Sequence, residues 1–306
     1  MSALAWIQGM QEGASHGAAG AEGSPDVAGM LMHHILDTRE LEFTILGRGF
    51  VIPLPQWEPI HFLGLTIDLS PTKHVVFVFL AAFLCLLLFV PLAAATRRKY
   101  TDQAPSGLAN AVEALVLFFR DEVVRRNIGH GADAYTGYII TLFFFILFMN
   151  LLGLVPFGST ATSNFMVTGA LAALTLILVE ITGMRSLGFK GYLGTIFVVP
   201  KGMHPVGAAL MTLILAPVEL LGKIAKPFAL MVRLFANMVA GHTLVLSLLG
   251  MIFLFAAVGP LRHGIAAVSV AMVLAISLLE VFVAFLQAYI FAMLTAVFVG
   301  LIRHAH

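Results

Sequence analysis

Six polar side chains interrupt the strongly apolar final part of this 306-residue sequence, and all are of types that carry or guide ions. They are Glu219, Arg233, Asn237, His242, Glu280 and Gln287. Carboxyl and imidazole groups exchange protons, whereas an arginine guanidinium stays charged at every working pH. Because an arginine within a bilayer costs roughly 2.5 kcal/mol or much more, a membrane chain that keeps one commonly uses it on an ion or substrate path.

Helical spacing places four charged or amide side chains on one stripe. Glu219, Lys226 and Arg233 are each seven positions apart, so neighbouring members lie within about 20° of one helix face, and Asn237 extends the stripe. A lysine near a cytoplasmic helix end is typical of snorkelling, and spacing alone leaves that interpretation open for Arg233 as well. Arg233 has no carboxylate at a fixed spacing, which suggests that its counterion belongs to another subunit.

A second polar face lies on the last apolar segment. Glu280 and Gln287 are seven apart and share a face with Ser277 and Ala284, a small and polar seam that suits helix packing. A carboxyl group at Glu280 can exchange a proton. Gln287 suits either a place on the same proton path or a hydrogen bond between helices. His242 follows Arg233 by nine residues, which puts it nearly opposite on the same helix.

The composition defines the class of protein that positions these groups. The chain is 60% hydrophobic and 11% charged, against about 25% charged residues in soluble domains. This predicts an all-α polytopic membrane protein. The net charge of +1 gives no indication of a nucleic-acid partner, and the single cysteine, Cys85, excludes a disulfide framework. No GxxxxGK[ST] phosphate loop is present, so we expect no nucleotide hydrolysis by this chain.

Apolar runs divide the chain into an extramembrane N-terminal segment, 1–73, and a single membrane domain, 74–306. We expect about five membrane helices and one amphipathic interfacial helix. In chain order these are a span at 74–96, the interfacial helix at 105–126, spans at 137–157 and 165–185, and two long helices at 205–256 and 264–303. The basic residues Arg185, Lys190 and Lys201 are assigned to the loop after the third span.

The last two segments are too long for upright crossings. As continuous helices they would reach on the order of 60 to 80 Å, against a hydrocarbon core of roughly 30 Å. Each must therefore break or tilt steeply. Prolines at 217 and 227 are candidate bends in the first, whereas the absence of glycine and proline between 265 and 299 favours steep tilt in the second.

Basic residues set the expected orientation. They concentrate after the first span, in the interfacial helix and at Arg303, so the positive-inside rule predicts an outer N-terminus and a cytoplasmic C-terminus. We expect no cofactor and no metal site, because the His33–His34 pair is more typical of solvated surface.

The run Arg233-Leu-Phe-Ala-Asn-Met-Val-Ala-Gly-His242 resembles the signature of the a subunit of the F-type ATP synthase membrane sector. Leu286-Gln-Ala-Tyr-Ile-Phe291 is similar to the last-helix motif of that family, and Phe148-Met-Asn-Leu-Leu-Gly-Leu-Val-Pro156 also fits. The resemblance covers about residues 30 to 303. One departure is the exchanged pair His242 and Glu280, since many bacterial members carry glutamate at the first position and histidine at the second. We therefore expect the two side chains to interact.

The resemblance implies a proton-translocating stator subunit without ATP chemistry of its own. Two aqueous half-channels would open against a rotating c-ring, and peripheral-stalk b subunits, the rest of the complex and membrane lipid would be further partners. Arg233 would face the ring carboxylate and prevent a proton short-circuit. The outer half-channel would hold Asn237, His242, Glu280 and Gln287, and Glu219 would line the cytoplasmic one. The expected location is a bacterial plasma (inner) membrane.

Two other classes of function stay open at this stage. A secondary ion/proton antiporter would transport as a single chain in liposomes, although no internal repeat supports it. A non-transporting scaffold would keep full proton flux after Arg233→Ala.

Overall fold

The fold is described from a computed structural model. It covers residues 40–45, 48–58, 60–62, 65–68, 70–99, 107–155, 158–197, 204–255 and 261–304. Within these ranges five helices are long and apolar enough to cross a membrane. The predicted class, an all-α polytopic membrane protein, is confirmed.

Seven α-helices, one π-helical segment and one 3-10 turn follow one another in the described part of the chain. They are α1 Lys73–Lys99, α2 Leu108–Phe118, the π-helical segment Phe119–Arg125, α3 Arg126–Ile128, α4 Asp133–Leu154, the 3-10 turn Ala161–Ser163, α5 Phe165–Ile196, α6 Pro205–Leu254 and α7 Leu261–Arg303. Helix α4 is apolar all round, as expected of a helix surrounded by protein, and its buried residues form the centre of the core.

Two short β-hairpins precede the first helix. Strand β1, Glu40–Ile45, pairs antiparallel with β2, Arg48–Pro53, and β3, Ile60–Phe62, pairs antiparallel with β4, Leu65–Ile67. No strand was predicted in this region, which was assigned only to an extramembrane segment. The extramembrane assignment itself stays a prediction.

The third membrane helix is followed by a second helical segment that was not predicted. The expected end at 185 lies close to Gly188, where α5 kinks and two helical segments meet. Gly188 has φ 69° and ψ 165°, a backbone conformation open to glycine. The segment beyond the kink continues to Ile196 and carries Lys190, so the assignment of Lys190 to a loop is wrong. Lys201 lies outside the described residues.

The two long helices are continuous. Helix α6 has 50 residues and α7 has 43, which correspond to about 75 Å and 65 Å. Pro217 and Pro227 lie inside α6 without ending it, so the alternative of two broken helices is wrong. Their steep tilt in the membrane remains a prediction, which the length argument supports.

An alanine seam joins the last helix to the core. Ala284, Ala288, Ala292 and Ala296 repeat every four residues along α7, and all are fully buried. Helix α7 packs along α4 at this level. Small side chains let two helices approach closely without strain, which holds the polar face of α7 at a fixed distance from its neighbours.

The interfacial segment is fixed to the end of α7. It was predicted over 105–126; the described helix begins at Leu108 and continues through the π-helical segment to Ile128. His304 Nε2 lies 3.3 Å from the Ile128 carbonyl oxygen, and the Arg303 guanidinium lies over the Tyr135 ring at 5.8 Å. The interfacial segment, the start of α4 and the end of α7 therefore share one end of the molecule, as the predicted orientation requires.

Candidate functional site

The predicted polar stripe of α6 lies on an exposed face. Glu219, Lys226, Arg233 and Asn237 are all exposed, whereas Leu230 and Leu234 beside them are buried in the core. Arg233 makes no ion pair and no hydrogen bond with any other residue that the structure describes. A permanent cation thus stands on an apolar helix surface without a counterion in the described part of the chain.

His242 and Glu280 meet between α6 and α7. His242 Nδ1 lies 3.4 Å from Glu280 Oε1, and the two side chains are only 22% and 13% exposed. This contact confirms the expected interaction between them. Because the residues come from different long helices, the pair also fixes how α6 and α7 lie against each other.

The second ring nitrogen of His242 is bound by a residue that the sequence analysis missed. Nε2 makes a hydrogen bond with the Thr160 hydroxyl, and Thr160 is 1% exposed. The loop approaches α4 closely at this point, since a Cβ added to Gly153 would lie 2.8 Å from Thr160 Cα. The only available signal was a loop rich in hydroxyl groups, and nothing in it indicated contact with α6.

Two buried polar contacts hold this loop in place. Thr162 donates to Asn150 Oδ1 at 2.6 Å, and the Asn150 amide donates to the Ala284 carbonyl oxygen at 3.4 Å. Asn164 caps α5 by accepting from the Met166 amide at 2.8 Å. The loop and the preceding helix α4 are therefore connected to α7, which is far away in sequence, close to the His242–Glu280 pair.

Gly241 leaves room for the Glu280 carboxylate. A Cβ at this position would lie 3.0 Å from Glu280 Cδ and would collide with Oε1. Any side chain on Gly241 must push the carboxylate away from α6, and therefore away from the neighbouring imidazole.

We predict that Gly241→Ala reduces proton pumping by the assembled complex, on the order of tenfold for a displaced hydrogen-bonded charge. ATP-driven proton uptake into inverted vesicles measures the effect, normalised to the amount of assembled complex. Gly222→Ala is the matched control, because Gly222 lies on the same helix and a Cβ there meets nothing within 4 Å. Equal pumping by both variants would contradict the assigned role of the Gly241 space.

The other two residues of the predicted outer set do not join the pair directly. Gln287 is buried, and no hydrogen bond links it to another described side chain or backbone group. Asn237 is exposed on the Arg233 face. The structure therefore brings His242 and Glu280 together and leaves Asn237 and Gln287 separate from them.

A cavity of about 640 Å³ lies at the other end of the exposed stripe, between α5, α6 and α7. Glu219, Lys223, Lys226 and Glu180 are among its lining residues. Lys223 Nζ donates to Thr195 Oγ1 at 3.2 Å and lies 4.2 Å from the centre of the Tyr192 ring. Glu180 of α5 thus lines the same space as Glu219 of α6.

Arg233 lies between these two polar regions. Along α6 it stands on the order of 20 Å from Glu219 and about 14 Å from His242, at the helical rise of 1.5 Å per residue. Two ionisable clusters at different positions along α6, with a fixed cation between them, are typical of a membrane protein that moves ions.

Comparison with known proteins assigns the family. The ATP synthase A chain family matches residues 75–300. The chain is 44% identical over 270 residues to ATP synthase subunit a of Chloroherpeton thalassium, covering 88% of this chain and 75% of that protein. It is 42% identical over 297 residues to ATP synthase subunit a 2 of Chlorobaculum tepidum, covering 96% and 78% respectively.

A third relative, ATP synthase subunit a of Anaeromyxobacter dehalogenans, is 44% identical over 303 residues, covering 95% of this chain and 76% of that protein. The chain belongs to the ATP synthase A chain family. It is an integral, non-catalytic membrane subunit of the ATP synthase complex and serves ATP synthesis and proton transport. Its bacterial relatives place it in a bacterial membrane. The resemblance seen in the sequence is confirmed.

Proposed function

We propose that the chain is the stator side of a proton path, with two aqueous half-channels that open against a rotating c-ring. The position of Arg233 carries this proposal. It is exposed, it has no counterion among the described residues, and it lies between an outer His–Glu pair and an inner cavity with acidic groups. A transmembrane carboxylate on each ring subunit would supply the missing counterion.

The outer half-channel is assigned to the side of His242 and Glu280. Their contact provides an imidazole and a carboxyl group, both able to pass a proton, in a site shielded from bulk water. A proton taken up here neutralises a ring carboxylate. Asn237 and Gln287 lie on the route between this pair and the ring in the proposed path.

The inner half-channel is assigned to the cavity beside Glu219. Glu219 and Glu180 accept the released proton, while Lys223 and Lys226 balance the negative charge of the two carboxylates. The cavity lies toward the end of α7, which carries Arg303. With the C-terminus in the cytoplasm and the N-terminus outside, this cavity opens to the cytoplasm.

Arg233 separates the two half-channels by its fixed charge. It repels protons and favours the ionised ring carboxylate, so a ring site becomes neutral only after it passes to the outer half-channel. A neutral site faces lipid at little cost, and the ring turns. Each proton that crosses gains about 2.3 kcal/mol per 100 mV of membrane potential.

The peripheral-stalk b subunits complete the proposed set of partners. They would hold this chain still while the ring turns, and the ATP chemistry would take place in other subunits. Transport therefore requires the assembled complex, which separates the proposal from a single-chain antiporter.

Crosslinking tests rotor contact. In a background with Cys85 replaced by alanine, a cysteine at Asn237 is expected to form a disulfide with cysteines placed along the ring helix in native membranes. A cysteine at Leu174 is the control, because this α5 residue is 54% exposed on a different helix. The proposal would be contradicted by crosslinking at position 174 without crosslinking at position 237. Proton transport by the purified single chain in liposomes would also contradict it.

A further inference from the structure

We propose that Thr160 is a positioning residue for His242, whose hydroxyl sets the hydrogen-bonding state of the imidazole as Glu280 gains and loses a proton. The inference rests on the proposed outer half-channel. The inference adds to that half-channel a residue from the loop between α4 and α5, which no motif of the sequence singled out.

The geometry gives each nitrogen of the imidazole one protein partner. Nδ1 faces Glu280 Oε1 at 3.4 Å, and Nε2 is hydrogen-bonded to the Thr160 hydroxyl. A neutral imidazole donates from one nitrogen and accepts at the other. The hydrogen-bond partner at Nε2 therefore determines whether Nδ1 donates to the Glu280 carboxyl group or accepts from it.

Two protonation states of Glu280 require opposite behaviour from Thr160. When Glu280 is ionised, Nδ1–H donates to the carboxylate, and Nε2 must accept a hydrogen bond from the Thr160 O–H. When Glu280 carries the proton and donates to Nδ1, the ring proton stands on Nε2 and the Thr160 oxygen must accept. A hydroxyl group satisfies both states by rotation, since it is both donor and acceptor.

The surroundings hold Thr160 where this exchange requires it. The side chain is buried, and its backbone carbonyl accepts from the Ser163 amide at 2.9 Å and from the Ser163 hydroxyl at 2.7 Å. The absence of a side chain at Gly153 allows the loop to approach α4. None of these contacts uses the Thr160 hydroxyl, which leaves it for His242.

The test compares Thr160→Val, which removes the hydroxyl at nearly constant shape, with Thr160→Ser, which keeps it. We expect Thr160→Val to slow ATP-driven proton pumping on the order of tenfold per assembled complex, because the partly buried imidazole loses its hydrogen-bond partner at Nε2. Thr160→Ser is expected to restore pumping close to the parent rate. If Thr160 had a purely structural role, the loss of its methyl group in Thr160→Ser would reduce pumping at least as much as the loss of its hydroxyl group in Thr160→Val.

Thr168→Val is the matched control, since Thr168 is also fully buried. Among the described residues its hydroxyl bonds only the carbonyl groups of Asn164 and Phe165, at the start of its own helix. His242→Ala, measured in parallel, separates this inference from the proposed function. Loss of pumping in His242→Ala with parental pumping in Thr160→Val would overturn the role of Thr160 alone. Equal loss in Thr160→Val and Thr160→Ser would also overturn it. Parental pumping in His242→Ala would overturn the outer half-channel itself.

Discussion

Replacing Arg233 with alanine is expected to abolish ATP-driven proton pumping by the assembled complex. The structure gives this guanidinium no counterion within the described ranges, and the proposed function assigns the opposing charge to a ring carboxylate. At a separation near 4 Å and an effective dielectric constant of about 20, such a pair is worth about 4 kcal/mol. That energy corresponds to roughly a thousandfold change in the ionisation equilibrium of a ring carboxylate. Without it, the ring site no longer releases its proton at the boundary between the half-channels.

Arg185→Ala is the control for this prediction. Arg185 is likewise exposed on a membrane helix, but it stands on α5 and is not among the residues that line the cavity beside Glu219. Its removal is expected to leave pumping near the parent level, once the amount of assembled complex is taken into account. Coupled pumping retained in Arg233→Ala would contradict the assigned role and would favour a scaffold.

Exchanging His242 and Glu280 is expected to restore the function that each single change removes. His242→Glu would place two carboxylates in one shielded site, and Glu280→His would place two imidazoles there, so each single variant lacks the pairing seen at 3.4 Å. The double variant recreates one carboxyl group and one imidazole. It also recreates the order of the pair, glutamate at the first position and histidine at the second, that many bacterial members of the family carry.

A double-mutant cycle on ATP-driven pumping measures this coupling. We expect each single variant to lose on the order of tenfold or more in rate, and the double variant to recover most of the loss, since contacting residues couple by about 0.5–3 kcal/mol. A double variant whose fold-loss in rate equals the product of the two single fold-losses would show that the residues act independently. That result would contradict a shared role in proton uptake.

The membrane helices could be predicted from the sequence because apolar length and charge are local properties. The first span was expected at 74–96 and is found within Lys73–Lys99. The kink at Gly188 lies close to the expected helix end at 185, but the helical segment beyond it was missed because Lys190 was interpreted as a loop residue. The strands were missed although Leu41, Phe43 and Ile45 alternate with polar residues, a pattern that indicates a strand.

The site could be predicted only in part. Spacing along α6 was enough to place Glu219, Arg233 and Asn237 on one face, because periodicity is a property of a single helix. The Thr160–His242 contact joins positions 82 apart, and the Asn150–Ala284 contact joins positions 134 apart. Such pairs depend on how helices pack, which no local pattern encodes. The position of Glu180 in the cavity wall was missed for the same reason, since α5 and α6 together form the wall that it shares with Glu219.

The central claim is that Arg233 is a barrier between two proton paths, and passive proton flow with a stationary rotor tests it most directly. Rotation is stopped by a disulfide between rotor and stator outside this chain, and proton flow is measured in vesicles under an imposed potential. With Arg233 present, the locked complex is expected to conduct no protons above the vesicle background. With Arg233→Ala, the locked complex is expected to leak, because the two half-channels then communicate without rotation. A locked Arg233→Ala complex as tight as the parent would contradict the claim.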